Sequence, residues 1–170
     1  GNINPGNSIN QLGVLTFNSH LKNDGTITID ISDSKGLDLL KINKFTIGGK
    51  LEINPVSNVY KGNSSFTFIN FEEKEGLEFS SVDIISTNFG RLIEDIIYGD
   101  KSINLNLSNP SYELYATNSR SGAIGKYIDG FSKDTSLNLQ NILDQINYLP
   151  EDKTVSDSIE DIVVTNSYNP

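Results

Sequence analysis

The chain has 170 residues, a formal net charge of −9, and no cysteine, methionine or tryptophan. Leu, Ile, Val and Phe fill 52 positions, about 31%, well above the roughly 20% below which chains stay disordered, so a packed core is expected. The 13 Lys and Arg form no basic run, which argues against nucleic-acid and anionic-lipid partners, and without thiols the fold has neither disulfides nor thiolate metal sites.

The opening Gly1-Asn2-Ile3-Asn4-Pro5-Gly6-Asn7-Ser8-Ile9 holds turn formers, and the following Leu12 to Phe17 and Thr26 to Ile31 read as short strands. Asn, Pro and Gly occupy tight-turn backbone conformations, and alternating Ile residues bury one face of a strand. The same two-residue period recurs in Ile27, Ile29 and Ile31, in Leu51 and Ile53, in Phe66 and Phe68, in Val82 and Ile84, and in Ile103, Leu105 and Leu107. Turns are expected at Asn23-Asp24-Gly25, Ser34-Lys35-Gly36, Gly48-Gly49, Lys61-Gly62-Asn63, Lys74-Glu75-Gly76 and Gly99-Asp100. The spacing leaves no room for helical crossovers, and two all-β architectures suit it: an antiparallel sandwich, or a parallel β-helix whose coils contribute short strands to stacked sheets.

Beyond Pro110 the period becomes helical. Ile124, Tyr127, Ile128 and Phe131 form one stripe and Leu139, Ile142, Leu143 and Ile146 another, as amphipathic helices require. Asn118 or Ser119 is expected to cap the first helix and Thr135 or Ser136 the second, with Gly130 and Pro150 as stops. Gly122 and Gly125 are expected to weaken the first helix by roughly 1 kcal/mol each. Val155, Ile159, Ile162 and Val163 offer a further helical turn or two, and Tyr168-Asn169-Pro170 carries no terminating logic.

The Pro5-Gly6-Asn7-Ser8-Ile9 turn with its following strands resembles the passenger-associated transport repeat of bacterial autotransporters. Leu37 to Ile53 is similar to that family's next element, an Asp-x-Leu strand, a turn and a Gly-x-Leu strand. Ser65 to Phe71 resembles its aromatic strand, and Asn88-Phe89-Gly90 to Leu107 its closing strands, with Asn88 where Gly is usual. Ser119 to Phe131 looks like the helical stretch that follows. The resemblance implies a mainly β fold: right-handed parallel β-helix coils with a C-terminal cap over 1–115, then a helical linker over 116–170 toward an outer-membrane β-barrel missing from this chain. It implies a non-enzymatic stable core or autochaperone segment, displayed at the cell surface or secreted through the periplasm and outer membrane of a Gram-negative bacterium. Its expected partners are that barrel and, in an alternative adhesin or self-association role, a host surface receptor or another passenger. A cysteine-free chain suits export through an oxidising periplasm in the unfolded state. The first residue is Gly and no leader or membrane-helix pattern occurs, so the chain is read as part of a longer one.

Chemistry is sparse. His20, the single histidine, lies without a Gly-x-Ser-x-Gly elbow and is expected at a surface or edge strand. Asp30, Asp33, Ser34 and Asp38 could hold calcium, but their spacing fails the EF-hand template and a solvated turn is the expected reading. Glu72, Glu73, Glu75 and Glu78 read as a wet loop, and Arg91 and Arg120 lack the carboxylate partners of a sugar lyase. Asn63-Ser64-Ser65 and Asn106-Leu107-Ser108 match a glycosylation sequon with little weight. No catalytic residue and no cofactor is assigned. Phe66, Phe68, Phe71 and Phe79 are expected to form an aromatic folding nucleus, and Tyr112 and Tyr115 to cap the last coil.

Overall fold

The computed structural model describes residues 1–6, 10–86, 89–130 and 137–166, with side chains described to 162. The expected turns, caps and helical stripes include Asn7, Ser8, Ile9, Asn88, Phe131, Thr135, Ser136 and Tyr168 to Pro170, which lie outside the described residues, as does the Val163 side chain. The chain is mainly β; the described residues form ten strands followed by three helices, and the chain divides into two compact units.

The first unit comprises residues 1–60, 64–89 and 94–107. Its strands are β1 (Asn2–Ile3), β2 (Val14–Lys22), β3 (Thr26–Ser32), β4 (Gly36–Leu37), β5 (Leu39–Thr46), β6 (Lys50–Pro55), β7 (Ser64–Glu75), β8 (Ser81–Ile84), β9 (Ile93–Tyr98) and β10 (Ser102–Ser108). One sheet runs β1-β3-β6-β8, with β4 also on β3; the other runs β2-β5-β7-β10-β9. From β1 to β9 the chain therefore alternates between the sheets, except where β4 folds back on β3.

Within each sheet the alternating strands pair in parallel. Asn2 faces Thr26 and Thr26 faces Lys50, an advance of 24 residues each time. In the second sheet Val14 faces Leu39 and Leu40 faces Ile69, advances of 25 and 29. The register stacks like on like: Ile3, Ile27 and Leu51 form one row, Ile29 and Ile53 the next, and Phe17, Ile42 and Phe71 a third. Ile27, Ile29, Ile31, Leu40, Leu51, Ile53 and Ile69 are fully buried. Such burial is worth about 1.5–3 kcal/mol per side chain before entropy is subtracted.

The pattern ends in an antiparallel step. β9 and β10 are joined through Gly99, whose N–H donates to the Ser102 carbonyl at 2.8 Å, and β10 lies antiparallel on β7. The register passes from Ile103 opposite Ile69 to Asn104 opposite Thr67, so Phe68 is the extra residue of a β-bulge.

The second unit comprises residues 61–63, 90–93 and 108–170. A 3₁₀ turn (Tyr112–Tyr115) precedes α1 (Ser119–Asp129), α2 (Leu137–Ile146) and α3 (Asp152–Asn166). Tyr112, Ile128, Leu143, Ile146, Val155, Ile159 and Ile162 form its core. The stretch expected as a linker thus holds a buried core of its own, and the segment of this unit that contains the helices begins at Ser108.

Asn118 caps α1 as expected: its side chain accepts from the Arg120 and Ser121 N–H groups at 2.9 Å, and Ser121 returns the bond in a capping box. The expected stripe is corrected in part. Tyr127 is exposed, and the buried face of α1 is Ser121, Gly125 and Ile128. Gly125 is a packing requirement rather than a weakness, because a Cβ there would lie 2.7 Å from the Glu113 nitrogen and 2.8 Å from the Tyr112 carbonyl carbon. On α2, Ile142 is 41% exposed whereas Leu143 and Ile146 are buried.

Candidate functional site

Of the residues expected to form a folding nucleus, Phe79 follows β7, while Phe66, Phe68 and Phe71 lie on that strand. Its alternating aromatics would place Phe66 and Phe68 on one face and Phe71 on the other, and the bulge at Phe68 changes that parity. Phe68, Ile69 and Phe71 are all buried as a result, as is Phe79, while Phe66 is half-buried.

The rings make two groups. Phe45 lies 6.2 Å from both Phe71 and Phe79, and Phe79 lies 6.1 Å from Tyr98. Phe66 instead meets Tyr60 edge-on at 6.2 Å, and Tyr60 meets Phe89 at 4.8 Å. Sequence reasoning missed Phe45, Tyr60, Phe89 and Tyr98, whose separation along the chain hides their convergence. Tyr60 is fully buried; its hydroxyl donates to the Ile31 carbonyl and accepts from the Ser57 N–H at 2.9 Å. Burial pushes its phenol above the ordinary tyrosine range.

Outward residues of the second sheet form polar rows. Thr67 and Ser65 hydroxyls donate to the Asn104 and Asn106 amide oxygens, both at 2.6 Å. His20 is exposed on β2, at the sheet's edge, as expected. Its Nε2 is 2.7 Å from the Thr46 hydroxyl, which donates to Glu75 at 3.0 Å. Lys44 pairs with Glu75 at 2.6 Å and holds that carboxyl below its usual range. A triad nucleophile needs a histidine oriented by an acid; here the hydroxyl lies between the two, an arrangement suited to a surface strut rather than a triad. Thr16, Phe17, Asn18, Lys41, Ile42, Asn43 and Glu72 line a shallow depression of about 430 Å³ beside this row.

The acidic residues expected in a solvated turn are placed otherwise. Asp33 and Ser34 lie in the turn after β3, but Asp30 and Asp38 have no exposed surface at all. Asp38 accepts from the Gly13 N–H at 2.7 Å and the Asp30 N–H at 3.0 Å, and Asp30 Oδ1 accepts from Asn54 at 2.7 Å. Burial, reinforced by the Asp30 charge, pushes the Asp38 carboxyl up despite its two backbone donors.

Tyr112 and Tyr115 belong to the helical unit. The Tyr112 hydroxyl donates to Asn147 at 3.0 Å within that core, and burial raises its phenol strongly. Tyr115 is partly buried, with the Arg91 guanidinium 4.5 Å above its ring. Arg91 also pairs with Asp152 at 2.7 Å and donates to the Leu149 carbonyl at 3.2 Å. Arg120 pairs with Glu160 at 3.9 Å.

Among the described residues no three His, Cys, Asp or Glu side chains converge as a metal cluster, and no helix is long and apolar enough to cross a membrane. No protein-family model, curated protein or solved structure matches the chain.

Proposed function

We propose that the first unit is a short right-handed parallel β-helix closed by the β9–β10 hairpin, and that the chain is the stable, non-enzymatic core of an autotransporter passenger. The observation that supports this reading is the parallel pairing of alternating strands in both sheets, at advances of 24, 24 and 31 residues in the first and 25 and 29 in the second, with apolar residues stacked in rows. Each coil that docks on such a stack buries a further set of aliphatic side chains, so folding free energy biases a chain emerging C-terminus first to keep moving outward. The passenger's own outer-membrane barrel is the partner this role requires.

The test is a fusion carrying a reporter, this chain and an outer-membrane barrel in that order, displayed in a Gram-negative host. Replacing residues 1–107 with a Gly/Ser linker of equal length is expected to lower folded, protease-resistant reporter at the surface severalfold. Equal display from both fusions would refute the proposal. The polar depression on the second sheet favours a second reading as a surface-binding module, for which saturable binding of the isolated chain to glycans, or to itself, is the measurement.

A further inference from the structure

We propose that Asp30 and Asp38 form a buried site for a hard divalent cation of the calcium class. Ile31 faces Leu37 and Ser32 faces Gly36 across β3 and β4, so the next pair in register is Asp30 and Asp38, and the Asp38 N–H donates to the Asp30 carbonyl at 2.8 Å. Two carboxylates thus stand opposite each other with no exposed surface. Like charges directly opposed across a sheet repel, and buried carboxylates without a counter-charge are costly.

Among the described residues neither forms an ion pair. Both Asp38 oxygens accept backbone N–H groups, which favours its charged form. Asp30 Oδ1 is held by Asn54, whereas Asp30 Oδ2 is buried with no hydrogen-bond partner. That orphaned oxygen points to a ligand. A cation would satisfy it and offset both charges. The Asn10 amide oxygen, which accepts from the same Asn54 amide at 3.3 Å, supplies a third ligand type. Calcium takes carboxylate and amide oxygens together and completes its shell with carbonyls and water. The site lies wholly within the first unit and does not depend on the passenger role.

The experiment uses the full chain stripped with EDTA and dialysed, then titrated with calcium chloride by calorimetry and by thermal melting. One saturable site is expected, with Tm rising by about 5 °C in millimolar calcium and magnesium less effective. Asp30→Asn keeps the side-chain shape and should abolish the response, while Asp24→Asn, at an exposed turn, should retain it. No heat and no Tm change in the stripped wild-type protein would overturn the proposal even if Asp30→Asn failed to fold, and an equal response in a folded Asp30→Asn would overturn it too.

Discussion

Replacing Phe68 and Phe66 separately with alanine distinguishes the bulged β7 seen here from a simple alternating strand. Strict alternation puts the two rings on one face with similar burial, and so predicts similar losses. In the structure Phe68 is fully buried at the bulge, whereas Phe66 is half-buried with Tyr60 as its ring partner. Deleting a buried phenylalanine leaves a cavity and costs about 3–5 kcal/mol. Phe66→Ala loses partial burial and one edge-on ring contact, about 1–2 kcal/mol. Urea unfolding followed by circular dichroism in the strand region, with tyrosine fluorescence as a second probe because the chain has no tryptophan, reads both. With a slope of about 2 kcal/mol per molar urea, Phe68→Ala moves the midpoint down by roughly 2 M and Phe66→Ala by less than about 1 M. If Phe68 also belongs to the folding nucleus with half its contacts formed in the transition state, refolding slows about 30-fold. A Phe66→Ala loss equal to or above that of Phe68→Ala would refute this reasoning.

Gly49→Ala should cost about 2–4 kcal/mol, because its φ is +64° and a Cβ would stand 2.2 Å from the Gly25 carbonyl oxygen; Gly36→Ala, at φ +101° with open space around it, should lose only about 1 kcal/mol in the same thermal melts. In chelator, Asp38→Asn should flatten the pH profile of stability. The raised folded-state pKa of Asp38 gives a stabilisation that is full below the unfolded value of about 3.9 and fades as pH rises through the folded value. Wild-type protein should therefore lose ground to the variant from about pH 4 upward, and parallel urea-derived profiles would contradict this. Arg91→Lys keeps a charge for Asp152 but not the planar contact with Tyr115 or the bond to Leu149. It should lower the urea midpoint of the helical signal by the equivalent of about 1–2 kcal/mol.

How far these features were legible depends on what hides each residue. The alternation of Ile27, Ile29 and Ile31 announces a buried face, and the turns at Asn23-Asp24-Gly25 and Gly48-Gly49 fall where the chain changes sheet. Parallel pairing is not encoded in a two-residue period, nor is the antiparallel return of β10 on β7. Asp30 sits on the polar side of β3 and reads as solvated, because the period says which residues share a face but not what lies over it. Gly13 and Asn54, distant in sequence, bond to the Asp38 and Asp30 carboxylates and close that side. The bulge at Phe68 and the close approach at Gly125 each look like a defect in a regular pattern until the neighbouring element is in place.

The closing hairpin gives the first unit a direction of assembly. Only Gly99, Asp100 and Lys101 separate β9 from β10, whereas each parallel pairing closes a loop of 24 residues or more. Loop closure alone favours the hairpin by about 2 kcal/mol over a parallel pairing, so the hairpin is expected to form first. Once formed, β10 presents Ile103, Leu105 and Leu107, all buried in the finished sheet, and an outward pair of asparagines that Ser65 and Thr67 match. Nucleation at the hairpin predicts that β7 docks on that surface and that β5 and then β2 add in parallel beside it, the order in which these strands neighbour one another in the sheet. Growth from the hairpin toward the N-terminus would match the C-terminus-first release required by the role proposed above.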